Sequence, residues 1–162
     1  MEVRPARVDD AEAIRAIYNT EVTTSIATFD LVPRSLSEQQ AWLADRAGAH
    51  AVVVATHEEG QVVAFGSLSP YRDRPAYRTT VEDSVYVHRA HQGAGVGSLI
   101  LAELVAVGKA RGFHSMVARI VGGHEASIAL HRRHGFALVG TEREVGPKFG
   151  HWLDVVVMQR LL

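Results

Sequence analysis

Two neighbouring acids, Glu82 and Asp83, sit inside the otherwise apolar run from Val81 to Val87. Alternation along a strand sends the two carboxylates to opposite faces, and each is costly to bury without a partner. Either one of them lines a cavity, or Glu82 pairs with Arg74 or Arg78 just upstream. A carboxylate held in a cavity is a general base, suited to taking a proton from an amine or a water. Beyond the run, Gln92-Gly93-Ala94-Gly95-Val96-Gly97-Ser98 leads directly into a helical pattern. Glycines let the backbone come close to a ligand, while free N–H groups and the positive end of the helix dipole favour an anion. A diphosphate is the natural guest of such a loop.

Spacing separates the phosphate-binding motifs from one another. A nucleotide-hydrolysing loop needs Lys and then Ser or Thr after its last glycine, but Gly97 is followed by Ser98-Leu99. A dinucleotide fingerprint needs an acid at a strand end about 20 residues on. The next strand-like run, Ser115 to Val121, carries Arg119 instead. Taken alone, the three glycines also suit a simple tight turn between strand and helix.

The elements that must position these groups alternate along the chain. Asp9 or Asp10 suits the cap of a helix with Ile14, Ile17 and Tyr18 on one face, and Ser35 with Glu38 has capping-box spacing for a second helix carrying Trp42 and Leu43. The segment from Glu21 to Leu31, rich in Thr and Ser, reads as a surface loop. Ala51 to Thr56 and Gln61 to Leu68 read as an antiparallel pair, Ser69 to Thr79 as an arginine-rich loop, and Val81 to Val87 as a central strand. Ile100, Leu101, Leu104, Val105 and Gly108 share one face of a helix from Gly97 to Arg111, which Gly112 ends. A strand over Ser115 to Val121 follows, then a helix from near His124 to Gly135. Strands over Phe136 to Glu142 and Trp152 to Gln159 enclose a loop with Gly146, Pro147 and Gly150. The order α, α, β, β, β, α, β, α, β, β predicts an α/β fold, a mixed central sheet flanked by helices, in one domain over residues 1–162.

Composition narrows the function. Lys plus Arg at 17 against Asp plus Glu at 18 give a formal net charge of −1, unlike a basic nucleic-acid binder. With no cysteine, there is no disulfide framework, thiolate metal cage or cysteine nucleophile. No run approaches the roughly 18 apolar residues of a membrane span, and Met1-Glu2-Val3-Arg4-Pro5 lacks a signal-peptide core, so a cytoplasmic protein is expected, with no membrane and no nucleic acid among its partners. His88 with His91 and His131 with His134 are three residues apart but lack a third ligand in a zinc pattern, and no metal is expected. Gly-x-Ser-x-Gly is absent, which argues against a serine hydrolase.

Val81-Glu82-Asp83-Ser84-Val85-Tyr86-Val87, the glycine loop, Ser127-Ile128-x-Leu130-His131 and Gly146-x-Lys148-x-Gly150-x-Trp152-x-Asp154-Val155 together resemble the GCN5-related N-acetyltransferase superfamily, and within it the phosphinothricin and methionine sulfoximine N-acetyltransferases. Thr28-Phe29 and Pro70-Tyr71-Arg72-Asp73-Arg74 fall in the family order too. The resemblance covers nearly the whole chain. It implies acetyl transfer from acetyl-CoA to the α-amino group of a small amino acid analogue by direct amine attack, in a homodimer.

Residue by residue, the resemblance makes Glu82 the catalytic base and puts His131 where much of the superfamily has a tyrosine acid. An imidazole there is suited either to taking the amine proton or to protonating the departing sulfur. Coenzyme A would be held by the strand Val85, Tyr86 and Val87, with Val85 and Val87 pairing the pantetheine arm, and by Gln92, Gly93, Ala94, Gly95, Val96, Gly97 and Ser98 around the pyrophosphate. His124 stands where relatives commonly have a coenzyme-touching asparagine. Arg74, with Arg72 beside it, would bind the substrate's anionic group, Phe29 would close the apolar side, and Lys148 would reach a neighbouring subunit's site. Two alternatives are an acetyltransferase for another small amine or a protein N-terminus, and a non-catalytic acyl-CoA-binding module.

Overall fold

The computed structural model describes residues 1–46 and 48–162. Its centre is a sheet of seven strands in the order β1-β2-β3-β4-β5-β7-β6. In chain order these are β1 (Glu2–Pro5), β2 (Val52–Thr56), β3 (Val62–Pro70), β4 (Thr80–Val87), β5 (Ser115–Val121), β6 (Ala137–Lys148) and β7 (His151–Leu161). The helices are α1 (Ala11–Thr24), α2 (Leu36–Asp45), α3 (Val96–Ala110) and α4 (Glu125–Arg133).

Strand alternation divides the core in two. Val52, Val54 and Phe65 pack against Ile14, Tyr18 and Val22 of α1 and Leu43 of α2. Val53, Ala55, Val63 and Ala64 face the other way, onto Ile100, Leu101, Leu104 and Val105 of α3. The face foreseen for α3 is the buried one. Gly66 lets α3 lie close to β3: a Cβ there would stand 2.4 Å from Ile100, 2.9 Å from Leu104 and 3.1 Å from the Ser84 carbonyl.

Most elements fall where the sequence placed them, and the differences have physical causes. β1 was not foreseen. It is short, carries no apolar alternation, and gains its ladder from β2, where Val3 pairs with Ala55. The segment Glu21–Thr24, read as loop, extends α1. There Thr20 and Thr23 hydroxyls donate to carbonyls one turn back, Val22 is buried, and Glu21 meets Arg89 at 3.3 Å. Asp10 precedes α1, but its carboxylate accepts from the Arg7 amide at 2.7 Å and from Arg4 at 2.8 and 2.9 Å rather than capping the helix. The Ser35–Glu38 capping box forms as read, with Ser35 Oγ accepting from Glu38 N and Glu38 accepting from Ser35 N. The expected glycine-proline loop is instead mostly strand: Gly146 and Pro147 lie inside β6 and only Phe149-Gly150 separates it from β7.

The sheet opens at one place. β4 and β5 are parallel and pair from Thr80–Ser115 to Asp83–Ala118, where the pairing ends. Beyond that point β4 stays with β3 as far as Val87, and β5 stays with β7 as far as Val121. Two strands anchored to different neighbours diverge and leave a notch between them.

Gly66→Ala forces a methyl into Ile100 and Leu104 against a backbone carbonyl, and overpacking of this kind costs about 1–3 kcal/mol. Urea unfolding should show a lower midpoint with an unchanged slope.

Candidate active site

The notch supplies main-chain groups with no strand to pair. The His88 amide donates to Val63 O at 2.8 Å, toward β3. By strand alternation Tyr86 and Ser84 also turn their main chain toward β3, and Val85 and Val87 turn theirs toward the notch. A row of unpaired N–H and C=O groups on a strand edge accepts an extended ligand as an added strand. The Gln92 side chain donates to Val87 O at 3.2 Å, satisfying that carbonyl at the end of the row. Tyr86, expected with Val85 and Val87, lines the pocket too, with its ring packed on the α1 and α2 face. The half-buried ring stacks on Phe65 at 5.2 Å and burial pushes its hydroxyl pKa up.

The glycine loop lies at the mouth of the notch. Gly93 and Gly95 have φ of 77° and 81°, a left-handed backbone that disfavours other residues. Gly95 is the N-cap of α3, so no side chain occupies the first free amides of the helix. At Gly97 a Cβ would make only ordinary contact, 3.4 Å from Leu130 and 3.6 Å from Val87, and these neighbours set the start of α3 between β4 and α4. Ser98 ties the two helices together, with its hydroxyl 2.7 Å from His134 Nε2. An anion at Gly93, Ala94, Gly95, Val96 and Gly97 meets backbone donors and a helix dipole together.

The two acids do face opposite ways, and the one that lines the notch is Asp83. The pocket walls include Asp83, Ser84, Val85 and Tyr86 from β4, Arg119 and Val121 from β5, and His124, Ser127 and His131 from α4. Asp83 Oδ2 lies 2.8 Å from His131 Nε2, and the far ring nitrogen of His131 lies 2.8 Å from the Ser127 carbonyl. Both residues are buried, at 6% and 4% exposed. Phe136 meets the imidazole edge to face at 5.0 Å. Burial alone would lower the His131 pKa, but the Asp83 hydrogen bond and charge, with the Ser127 carbonyl, outweigh it and the pKa rises.

Glu82 lies on the α1 and α2 side of β4, opposite Ser69 of β3. Burial raises its pKa, Arg119 opposes the rise, and Asp83 and Glu142 add to it. Neither Arg74 nor Arg78 pairs with it, which corrects that expectation. Its basic neighbour is Arg119, itself bridged to Glu142 at 2.5 Å.

The substrate-side residues are scattered more widely. Phe29 lies over Gly146, where a Cβ would come within 2.9 Å of the ring. Lys148, expected to reach a neighbouring subunit, is turned into its own chain. It is 3% exposed, donates to the Thr28 carbonyl at 2.7 Å, and burial lowers its pKa. It thereby holds the Thr28-Phe29 segment against the β6–β7 hairpin. Arg72 is exposed and stacks on Tyr71, and Arg74 is exposed at the start of the turn Pro75–Thr79. His124 caps α4 by accepting from Ser127 N at 3.2 Å, so its other ring nitrogen is the one left for a ligand. Sequence reading missed the Asp83–His131 contact, which spans 48 residues and leaves no local pattern.

A sheet opened between its fourth and fifth strands, with a glycine-capped helix below the opening, is the framework of an acetyltransferase. The chain matches the acetyltransferase (GNAT) domain model over residues 3–157. It is 41% identical over 158 residues to the L-methionine sulfoximine/L-methionine sulfone acetyltransferase of Pseudomonas aeruginosa, covering 97% of this chain and 92% of that protein. It is 40% identical over 165 residues to the phosphinothricin N-acetyltransferase of Streptomyces coelicolor, covering 100% and 96%. Among solved structures it superposes on a GNAT superfamily phosphinothricin acetyltransferase from Sinorhizobium meliloti in complex with AcCoA, with TM-score 0.96, 40% identity, and coverage of 99% of this chain and 88% of that one. The chain belongs to the GNAT acetyltransferase family and is an acetyl-CoA-dependent N-acetyltransferase.

Gly95→Val places a β-branched residue at φ 81°, a conformation that costs about 1–2 kcal/mol, and crowds the loop amides. Calorimetry should show acetyl-CoA affinity falling by roughly tenfold or more, since a loss of about 1.4 kcal/mol is a factor of ten. Unchanged affinity would remove the loop from the binding site.

Proposed function

We propose that this protein transfers the acetyl group of acetyl-CoA to the α-amino group of a small amino acid analogue of the phosphinothricin or methionine sulfoximine type. The observation that carries the reading is the notch: main-chain groups of Val85 and Val87 that have no strand to pair end at a glycine loop with free helix amides. Together these suit a pantetheine arm and the pyrophosphate of coenzyme A. Relatives named for these two activities, each about 40% identical over nearly the full length, support the substrate class.

In this reading an amine attacks the thioester carbonyl directly, with no acyl-enzyme. The substrate ammonium must first lose a proton, and Glu82 takes it, directly or through water. Burial suits Glu82 to the task by raising its pKa toward neutrality from the usual carboxylate value. A notch-facing N–H of β4 polarises the carbonyl as negative charge develops on its oxygen. Arg74, with Arg72, binds the substrate's anionic end, and Phe29, fixed by Lys148 through Thr28, closes the apolar side.

The reading includes a homodimer. β6 is one of the two edge strands of the sheet, with β1 at the other side, and exposes Leu138, Val139 and Val145. Exposed apolar side chains on a sheet edge favour association with a second copy. Sedimentation at micromolar concentration should give twice the 17.6 kDa chain mass.

A panel of phosphinothricin, methionine sulfoximine, methionine sulfone and simple amines tests the substrate class, with the anionic amino acid analogues turning over and the simple amines not. Glu82→Gln should lower kcat by roughly 10²-fold or more. Because the Glu82 pKa lies above its ordinary 4.5, wild-type activity should fall as pH drops through that raised value, where the base becomes protonated. Full activity in Glu82→Gln would exclude Glu82 as the base.

A further inference from the structure

We propose that Arg119 binds the substrate's α-carboxylate and so sets the α-amine, one carbon away, against Glu82. The proposal rests on the acetyl-transfer reading above and deepens it by naming the residue that recognises the substrate as an amino acid. Arg74 and Arg72 are then left to the far end of the substrate.

Sheet geometry brings Arg119 and Glu82 together. Met116, Ala118 and Ile120 of β5 pack into the core under α3, so alternation turns Val117, Arg119 and Val121 to the other face, the one that carries Glu82. Glu82 pairs with Val117, which puts Arg119 one strand across and two residues further on, where the ladder between β4 and β5 has ended. There Arg119 forms part of the notch wall with Ala27, Ser84, Tyr86 and Val121. Its charge reaches Glu82 and opposes the upward push of burial on that carboxyl.

The other cations near this face are committed elsewhere. Arg46 donates to Ser69 Oγ at 3.2 Å and stacks on Trp42 at 4.2 Å. Arg34 lies 4.0 Å over the Tyr18 ring, and Lys148 is spent on the Thr28 carbonyl. Arg72 and Arg74 are exposed in the turn before β4 and do not belong to the notch wall.

Arg119, by contrast, keeps its fork available. Glu142 is its resident partner: Glu142 pairs with Val155 and Arg119 with Val157, so both side chains rise from the same face. Glu142 Oε1 stands 2.5 Å from Arg119 Nη1 yet has no hydrogen-bond partner among the described residues, so the charges meet without a donor aimed at the oxygen. The Arg119 side chain is 31% exposed and open to a ligand. A guanidinium presents parallel donors that match the two oxygens of a carboxylate, and an incoming carboxylate takes those aligned donors in place of Glu142.

The substrate's own chemistry makes the placement necessary. A single carbon separates the amine of an α-amino acid from its carboxylate. A cation that holds the carboxylate while the amine meets Glu82 must therefore lie beside Glu82. An arginine in the exposed turn before β4 suits a group at the end of the substrate's side chain instead, such as a phosphinate.

Methionine sulfone and its α-carboxamide, which differ only at that carboxylate, test the assignment. Arg119→Met should raise the KM for the free acid by roughly tenfold or more while the KM for acetyl-CoA changes by less than about threefold. It should also lower the ratio of kcat/KM for acid over carboxamide by roughly tenfold or more, with Arg119→Lys restoring part of the loss. Glu142→Gln, which removes the resident competitor, should lower the KM for the acid and leave that for the carboxamide unchanged, a result that does not depend on the Arg119 variants folding. An acid-to-carboxamide ratio unchanged in folded Arg119→Met overturns the proposal, as does a Glu142→Gln effect equal on the two compounds. Wild-type protein that acetylates neither compound, nor any other amine of the panel, sinks the acetyl-transfer reading itself and the assignment with it.

Discussion

The divergence of two parallel strands organises this molecule. β4 and β5 share a ladder only from Thr80–Ser115 to Asp83–Ala118, after which each keeps its outer neighbour and loses the inner one. Backbone N–H and C=O groups are obligatory hydrogen-bonding groups, and leaving a row of them unpaired inside a sheet is costly unless something else fills the gap. An extended ligand with amide groups of its own does so. The opening lies directly above the start of α3, where Gly95 and Gly97 keep side chains out of the way. In the reading proposed above, strand edge and helix end address one long ligand, the first its amide-bearing arm and the second its anionic end.

The same alternation that builds the two core faces separates the two carboxylates. Glu82 lies with the α1 and α2 face and is influenced by Arg119 and Glu142. Asp83 lies with the α3 and α4 face and is joined to His131. One peptide unit thus carries two acidic groups in different surroundings. The β6–β7 hairpin holds the Thr28-Phe29 segment through a different contact, the buried Lys148 amine on the Thr28 carbonyl.

Much of this was legible in the sequence because it is local. The capping box at Ser35, the period of α3, the glycine loop and the opposed directions of Glu82 and Asp83 each depend on a few adjacent residues. What escaped depends on neighbours far along the chain. β1 exists because β2 offers it a ladder, and the end of α1 is helical because Val22 is buried and Glu21 meets Arg89. Gly146 and Pro147 read as a loop, yet β6 accommodates them because it is an edge strand of the sheet, where a missing donor is tolerated. Lys148 reads in sequence as reaching a neighbouring subunit's site, and only the folded hairpin shows it turned inward onto Thr28.

Hydrogen exchange of the backbone amides with and without acetyl-CoA measures the central claim most directly. Added acetyl-CoA should slow exchange at Val85 or Val87 on the open edge of β4 and across residues 93–98, while β1 and β2 at the far side of the sheet stay unchanged. Exchange that slows elsewhere, with the β4 edge and the loop unaffected, would contradict the placement of the coenzyme in the opening between the two strands.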